Sequence, residues 1–429
     1  MFQPNSDICC LLSSCIHFFR EDVSYKVPVS YRFEAAVKKS LAFLCFFTAI
    51  SFATEAQELD VAVDLQKDDT GVYNLTIPLP EGVYRVHLIL GSEESSGHTV
   101  VRAESRRLYA TEIVTEKGEF KEFSFTVHRR SPLVSPQEKV RLKPREIGKL
   151  NWDDFLNLEI SGRQAQLSQL SIEEANEVPV VYLCGNSTVV DQDNEPWASW
   201  GQMITVFFDD RLCFANYAES GESANSFISA GRLKKIMTQI KPGDYVLVEF
   251  GHNDQKQKGE GKGAYLSYWK SLTEFIDQAR EKKAIPVLIT PTQRRSFGDD
   301  GRIVDTHEDY PQAMRDLARE KQVPLIDLHQ MTRVLYEALG TEGSKKAFVH
   351  YPAGSFPGQN QDLADNTHFN PYGAYQIAKC VVMGMKQLGL PLVQFLREEV
   401  VYDPAFPDDP GSFNWWPSPY VELQKPEGN

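Results

Sequence analysis

Ser187 stands in Gly185-Asn186-Ser187-Thr188-Val189, directly after an apolar run, which puts a hydroxyl on a strand-to-helix turn where a nucleophile can sit and where a helix N-cap can sit equally well. Near the C-terminus comes Asp365-Asn366-Thr367-His368-Phe369-Asn370-Pro371, on a loop just before a helix. An Asp three residues ahead of a His can accept the imidazole Nδ1 proton and leave Nε2 as a base toward a serine hydroxyl. A loop His satisfied by local hydrogen bonds and a pair of metal ligands are the competing readings, but neither accounts for Ser187. No third and fourth ligand stands at metal-like spacing, so no metal is expected. Between these blocks lie Gly221, within Ala218-Glu219-Ser220-Gly221-Glu222-Ser223, and Asn253, within Gly251-His252-Asn253-Asp254. A glycine N–H, an asparagine side-chain N–H and the Ser187 N–H would together supply an oxyanion hole. Gly and Asn also occur in turns for conformational reasons alone. The chemistry these residues can do together is acyl transfer from an ester, with no cofactor.

Such groups need a scaffold, and the periodicity provides one. After Glu173, apolar strands at 178–184, 212–216, 245–250, 285–290 and 323–328 alternate with helical stretches near 227–240, 265–283, 311–320 and 372–388. That alternation predicts an α/β fold, a flavodoxin-like parallel sheet with helices on both faces, whose sites collect at the carboxyl ends of the strands. Upstream, short β-branched or alternating runs at 59–63, 72–78, 84–91, 108–114, 120–127 and 155–160 are separated by turn residues, as in an antiparallel, jelly-roll-like β-sandwich. The expected organisation is a leader over 1–56, a β-sandwich over 57–172 and the α/β domain over 173–429.

The leader expectation rests on Lys38 and Lys39, the apolar run 41–53 and the small residues Ala53 and Ala56, the order of a secretory signal peptide over about 37–56. It begins inside the chain, which a true start at Val37 would explain; a buried helix is the alternative. The run is too short for a permanent membrane anchor, so a periplasmic or secreted protein without stable membrane insertion is expected. Cys9, Cys10, Cys15 and Cys45 would leave with the leader, and Cys184, Cys213 and Cys380 are too few and scattered for a disulfide framework. A formal net charge of −14 over 429 residues argues against a nucleic-acid partner.

Taken in order, the Ser, Gly, Asn and Asp-x-x-His blocks resemble the SGNH (GDSL-like) hydrolase family. Within it, Pro196-Trp197-Ala198-Ser199-Trp200-Gly201-Gln202-Met203 and Pro291-Thr292-Gln293-Arg294-Arg295 are similar to the rhamnogalacturonan acetylesterase-like subgroup. The resemblance spans roughly 178 to 390, and the upstream half is similar to galactose-binding-like modules fused to such esterases. It implies Ser187 as nucleophile, His368 as base, Asp365 as its orienter and Gly221 and Asn253 in the oxyanion hole. The substrate it implies is an acetylated plant cell-wall polysaccharide or oligosaccharide. Trp197 and Trp200 can stack on sugar or cover the core; Arg294 and Arg295 can hold a uronate carboxylate or simply be solvated. One departure stands out: the family usually has Asp where this chain has Asn186, which keeps a carbonyl acceptor and loses the charge. Two rival functions remain open at this point, a lipase or thioesterase using the same residues, and a carbohydrate-binding protein with a degenerate hydrolase half.

Overall fold

The structure, a computed structural model, describes residues 65–421, 423 and 425–427 and the backbone of Glu58–Leu59. The leader expectation falls outside the described residues. Among the described residues no helix is long and apolar enough to cross a membrane.

Two four-stranded antiparallel sheets make up the first half. One runs Glu58–Leu59, Gln169–Glu174, Gly82–Gly91, Phe120–Arg129 and the other Tyr73–Pro78, Phe155–Gln164, Gly97–Ala103, Arg107–Thr115. Tyr73–Pro78 shows the reason for their pairing, since buried and exposed residues alternate strictly along it and its apolar face must find a partner. Leu75, Ile77 and Leu158 from one sheet pack with Val86, Leu88 and Phe125 from the other in one core. Two of these strands, Gly97–Ala103 and Gln169–Glu174, have no counterpart in the sequence reading. Thr99 and Arg102 break the apolar pattern of the first, yet both are buried.

The second half holds a parallel sheet of five strands in the order Cys213–Asn216, Val180–Cys184, Tyr245–Glu249, Ile285–Ile289, Leu325–Ile326. This is the flavodoxin-like order, in which the chain starts inside the sheet and reverses direction at its first strand. Strand periodicity sends Val181, Leu183 and Leu247 to one core and Val180, Tyr182 and Val246 to another. Helices Leu328–Gly343 and Pro371–Gln387 cover the first, through Leu335, Ile377 and Val381. Helices Arg232–Gln239, Trp269–Glu281 and Tyr310–Lys321 cover the second, through Ile236, Phe275 and Leu317.

The helix expected at 227–240 is two helices, Ala224–Ser229 and Arg232–Gln239, broken at Gly231, whose φ of +82° ends the helical path. Leu328–Gly343 was not expected as a helix; Asp327 starts it, its side chain accepting from the Gln330 N–H at 3.4 Å. Residues 55–429 form one compact unit. The turn after Gly97–Ala103 enters the seam between the halves, and there Arg107 donates to Asp191 Oδ2 at 2.7 and 3.1 Å and to the Phe214 carbonyl at 3.2 Å. Arg106 reaches the carbonyls of Gln192 and Trp197 at 3.1 and 3.0 Å and the Glu195 carboxylate at 2.6 Å.

Candidate active site

The first parallel strand ends at Cys184 and delivers Gly185, where a Cβ would lie 2.5 Å from Val189 Cγ2 and 3.1 Å from the Glu249 carbonyl. Close approach requires glycine here, and Ser187 follows in the turn. His368 does not sit on a loop as expected. It lies on a short strand, Leu363–Phe369, paired with Phe348–Tyr351, so its backbone is held by a hairpin. Asn370 then caps helix Pro371–Gln387, accepting from the Gly373 N–H at 3.0 Å, with Pro371 in the first turn.

These elements bring His368 Nε2 to 2.8 Å from Ser187 Oγ and His368 Nδ1 to 2.8 Å from Asp365 Oδ2. Serine, histidine and aspartate are 3%, 1% and 4% exposed, so the relay is shielded from water. The other carboxylate oxygen of Asp365 accepts the backbone N–H groups of Thr367 and His368 at 2.9 and 3.0 Å. Burial alone would raise the Asp365 carboxyl, but the His368 ring and these two N–H groups outweigh it and hold the carboxyl well below its usual range. The carboxylate therefore stays charged and fixes the tautomer that presents Nε2 to the serine.

Gly221 follows the second strand with φ of +77°, and Asn253 follows the third. Asn253 Nδ2 donates one hydrogen to the Glu222 carbonyl at 2.9 Å, which orients the amide and leaves its second hydrogen for another acceptor. Among the described residues, the backbone N–H groups of Ser187 and Gly221 have no protein acceptor. Asp254, buried, holds the two loops together by accepting from the Ala224 and Gly251 N–H groups at 2.9 and 3.0 Å.

The departure at Asn186 is accommodated locally. Its Oδ1 accepts from the Thr188 N–H at 3.1 Å and lies 2.9 Å from Thr188 Oγ1, which is 2.8 Å from Glu249 Oε1. The Thr188 hydroxyl has one proton to divide between two acceptors, Asn186 Oδ1 and Glu249 Oε1. Burial pushes the Glu249 carboxyl up to about 7, against hydrogen bonds from Trp200 and Thr188. Glu249 was absent from the sequence reading, although an acid in the apolar strand Tyr245–Glu249 is a readable signal.

A pH prediction follows. The folded value lies above the ordinary 4.5, so the contribution of Glu249 to stability is full below pH 4.5 and is lost as pH rises through about 7. Glu249→Gln should flatten that part of the profile, read as the difference in Tm between wild type and variant across this window. An unchanged slope would remove Glu249 from the account.

The residues expected at the substrate take different places. Trp200 is a core residue, 1% exposed, with its indole N–H on Glu249, so it cannot stack on a sugar. Trp197 is also buried, but it borders a cavity of 460 Å³ and its Nε1 has no hydrogen-bond partner among the described residues. Arg294 donates to Thr306 Oγ1 and to the His252 carbonyl at 3.0 and 3.1 Å. Arg295 donates to Ser344 Oγ at 3.0 Å and Asn366 Oδ1 at 3.1 Å, bracing the strand that carries His368. Both guanidinium groups are thus engaged within the fold.

The five-stranded sheet in flavodoxin-like order, with Ser187, Gly221 and Asn253 at successive strand ends and Asp365 and His368 ahead of the last helix, defines an SGNH hydrolase. Residues 183–375 match the GDSL-like lipase/acylhydrolase family. Over 218 residues the chain is 46% identical to rhamnogalacturonan acetylesterase RhgT of Bacillus subtilis (strain 168), covering 50% of this chain and 93% of that protein. Over 222 residues it is 35% identical to the probable rhamnogalacturonan acetylesterase YesY of the same organism, covering 51% and 98%. The crystal structure of YxiM from Bacillus subtilis superposes with a TM-score of 0.45 at 24% identity, over 77% of this chain and 84% of that one. The chain belongs to the GDSL-like lipase/acylhydrolase family and is a carboxylic ester hydrolase.

Proposed function

We propose that this protein is a secreted carbohydrate O-acetylesterase that removes acetyl groups from pectin of the rhamnogalacturonan type. The observation that carries the reading is the hydrogen-bonded chain from Ser187 Oγ through His368 to Asp365, in a chain 46% identical to a rhamnogalacturonan acetylesterase. Ser187 Oγ attacks the acetyl carbonyl while His368 Nε2 takes its proton, and the oxyanion is met by the N–H groups of Ser187 and Gly221 and by Asn253 Nδ2. His368 returns the proton to the sugar oxygen as that bond breaks. Water, deprotonated by His368, then cleaves the acetyl-serine and releases acetate. Asp365 stays ionised throughout.

Residues 57–172 serve in this reading as an accessory sandwich, jelly-roll-like and galactose-binding-like, and 173–429 as the esterase domain; export uses the leader at about 37–56. The neighbouring cavity favours a carbohydrate over a long acyl chain, because Arg130, Arg145, Lys149, Asp193 and Glu219 line it. The test is acetate release from acetylated rhamnogalacturonan, acetylated xylan and long-chain nitrophenyl esters. Preference for the first supports the reading, and preference for the long-chain esters overturns it. Asn253→Ala should lower kcat by about 100- to 1000-fold with KM changed much less, as for loss of one oxyanion donor. A rise in KM at constant kcat would move Asn253 from the oxyanion to ground-state binding.

A further inference from the structure

A second cluster of titratable side chains lies outside this relay. Asp305, His307 and His329 place one ligand atom each within 4.8 Å of one another, at the edge of the loop that follows strand Ile285–Ile289. They were not foreseen as a group: Asp305 and His307 are two residues apart in sequence, but His329 reaches them only because helix Leu328–Gly343 starts beside that loop.

The remaining ring nitrogens decide what the cluster can do. His329 Nδ1 lies 3.0 Å from the Pro291 carbonyl, which only accepts, so Nδ1 carries the hydrogen. His329 Nε2 lies 3.0 Å from Asp305 Oδ2 and 2.7 Å from the Gln293 side-chain amide. His307 has Nε2 at 3.0 Å from His252 Nδ1, and its own Nδ1 is buried, without a hydrogen-bond partner, 3.9 Å from Asp305 Oδ1. Each imidazole thus has one nitrogen tied to an outer partner and one on the side of the carboxylate, that of His329 shared with the Gln293 amide. Metal-ligating histidines show this division, the outer hydrogen bond fixing the tautomer.

We propose that Asp305, His307 and His329 form a binding site for one divalent transition metal such as zinc. Two imidazoles and a carboxylate suit such an ion, and the half-exposed Asp305 leaves the remaining positions to water. A proton on His329 would satisfy its contact with Asp305 but would leave His307 Nδ1 unexplained. Arg294 and Lys256 repel a second cation, so the affinity falls short of a four-ligand structural site. The ion would clamp the loop at Pro291, the segment at Asp305 and the start of helix Leu328–Gly343. Through His307 and His252 it would stiffen the loop carrying Asn253.

The test uses the whole chain, stripped with chelator and titrated with zinc and with cobalt(II). The expected result is one equivalent bound per chain, visible d–d bands with cobalt(II), and a Tm several degrees higher with metal present. Asp305→Asn and His329→Gln should each weaken binding by roughly 10-fold or more. Asp305 is half exposed, so Asp305→Asn reports even if His329→Gln fails to fold. No stoichiometric binding by the wild type would overturn the site. So would undiminished binding by Asp305→Asn, which would place the metal elsewhere, for example at the Cys9, Cys10, Cys15 and His17 stretch of the leader.

Discussion

Ser187→Ala and His368→Ala should each lower kcat on an acetyl ester by about 10,000- to 1,000,000-fold, and the double variant should be little worse than either. In the proposed mechanism nucleophile and base act as one unit: without the hydroxyl the imidazole has nothing to deprotonate, and without the imidazole the hydroxyl stays protonated at neutral pH. The 2.8 Å contacts on both sides of His368 show that the unit is assembled before substrate arrives. Asp365→Asn should also be severe, since the amide offers a hydrogen where Nδ1–H needs an acceptor. Folding should survive, because Ser187 and His368 contribute little apolar packing, and circular dichroism checks this. Initial rates of acetate release decide the matter. Near-native activity in Ser187→Ala, or labelling of a different residue by a serine-reactive phosphonate, would falsify the assignment.

The second large effect is on stability. Arg107→Met should cost about 3–5 kcal/mol in urea unfolding, because it leaves Asp191 charged and unpaired where neither side chain is more than 1% exposed. The methionine replaces most of the arginine stem, so the loss reports charge rather than volume. Adding Asp191→Asn should return much of it: the amide still reaches Asn216, which now donates to Asp191 Oδ1 at 2.8 Å, and no buried charge remains. If the double variant is no more stable than Arg107→Met, the pair is not the source. The same seam bears on a fragment starting near residue 172. The sequence suggests that it folds and cleaves small esters alone, whereas its removal of Arg106 and Arg107 would strand Asp191 and Glu195 beside the nucleophile turn.

What the sequence made legible follows from periodicity and chain proximity. Five apolar runs announced the parallel strands, and Asp365 with His368 could be read as a pair because they are three residues apart. Of the two strands missed upstream, Gly97–Ala103 buries Thr99 and Arg102, and charge in a strand reads as solvent exposure, while Gln169–Glu174 buries only Ile172, set among polar residues. Arg102, Arg106 and Arg107 were invisible for the same reason: nothing local says that an arginine is buried against a carboxylate dozens of residues away. For Trp200 and Arg295 residue type left two readings open, sugar or carboxylate contact against a place in the core or in solvent, because burial and partner are not written in residue type. His329 could not be joined to Asp305 without knowing where its helix begins.

The seam also sets an order of assembly. Arg107 precedes Asp191 by 84 residues, and Ser105 precedes Gln202, which donates to its carbonyl, by 97. Contacts this distant cannot form early by local search, since closing such loops costs entropy before any contact is made. Synthesis runs from the N-terminus, however, so the sandwich can finish while the α/β half is still emerging. The nucleophile turn then meets a hairpin whose backbone is already paired, Arg106 and Arg107 find their partners as it arrives, and the β half works as an internal template on which the loop around Ser187 takes shape.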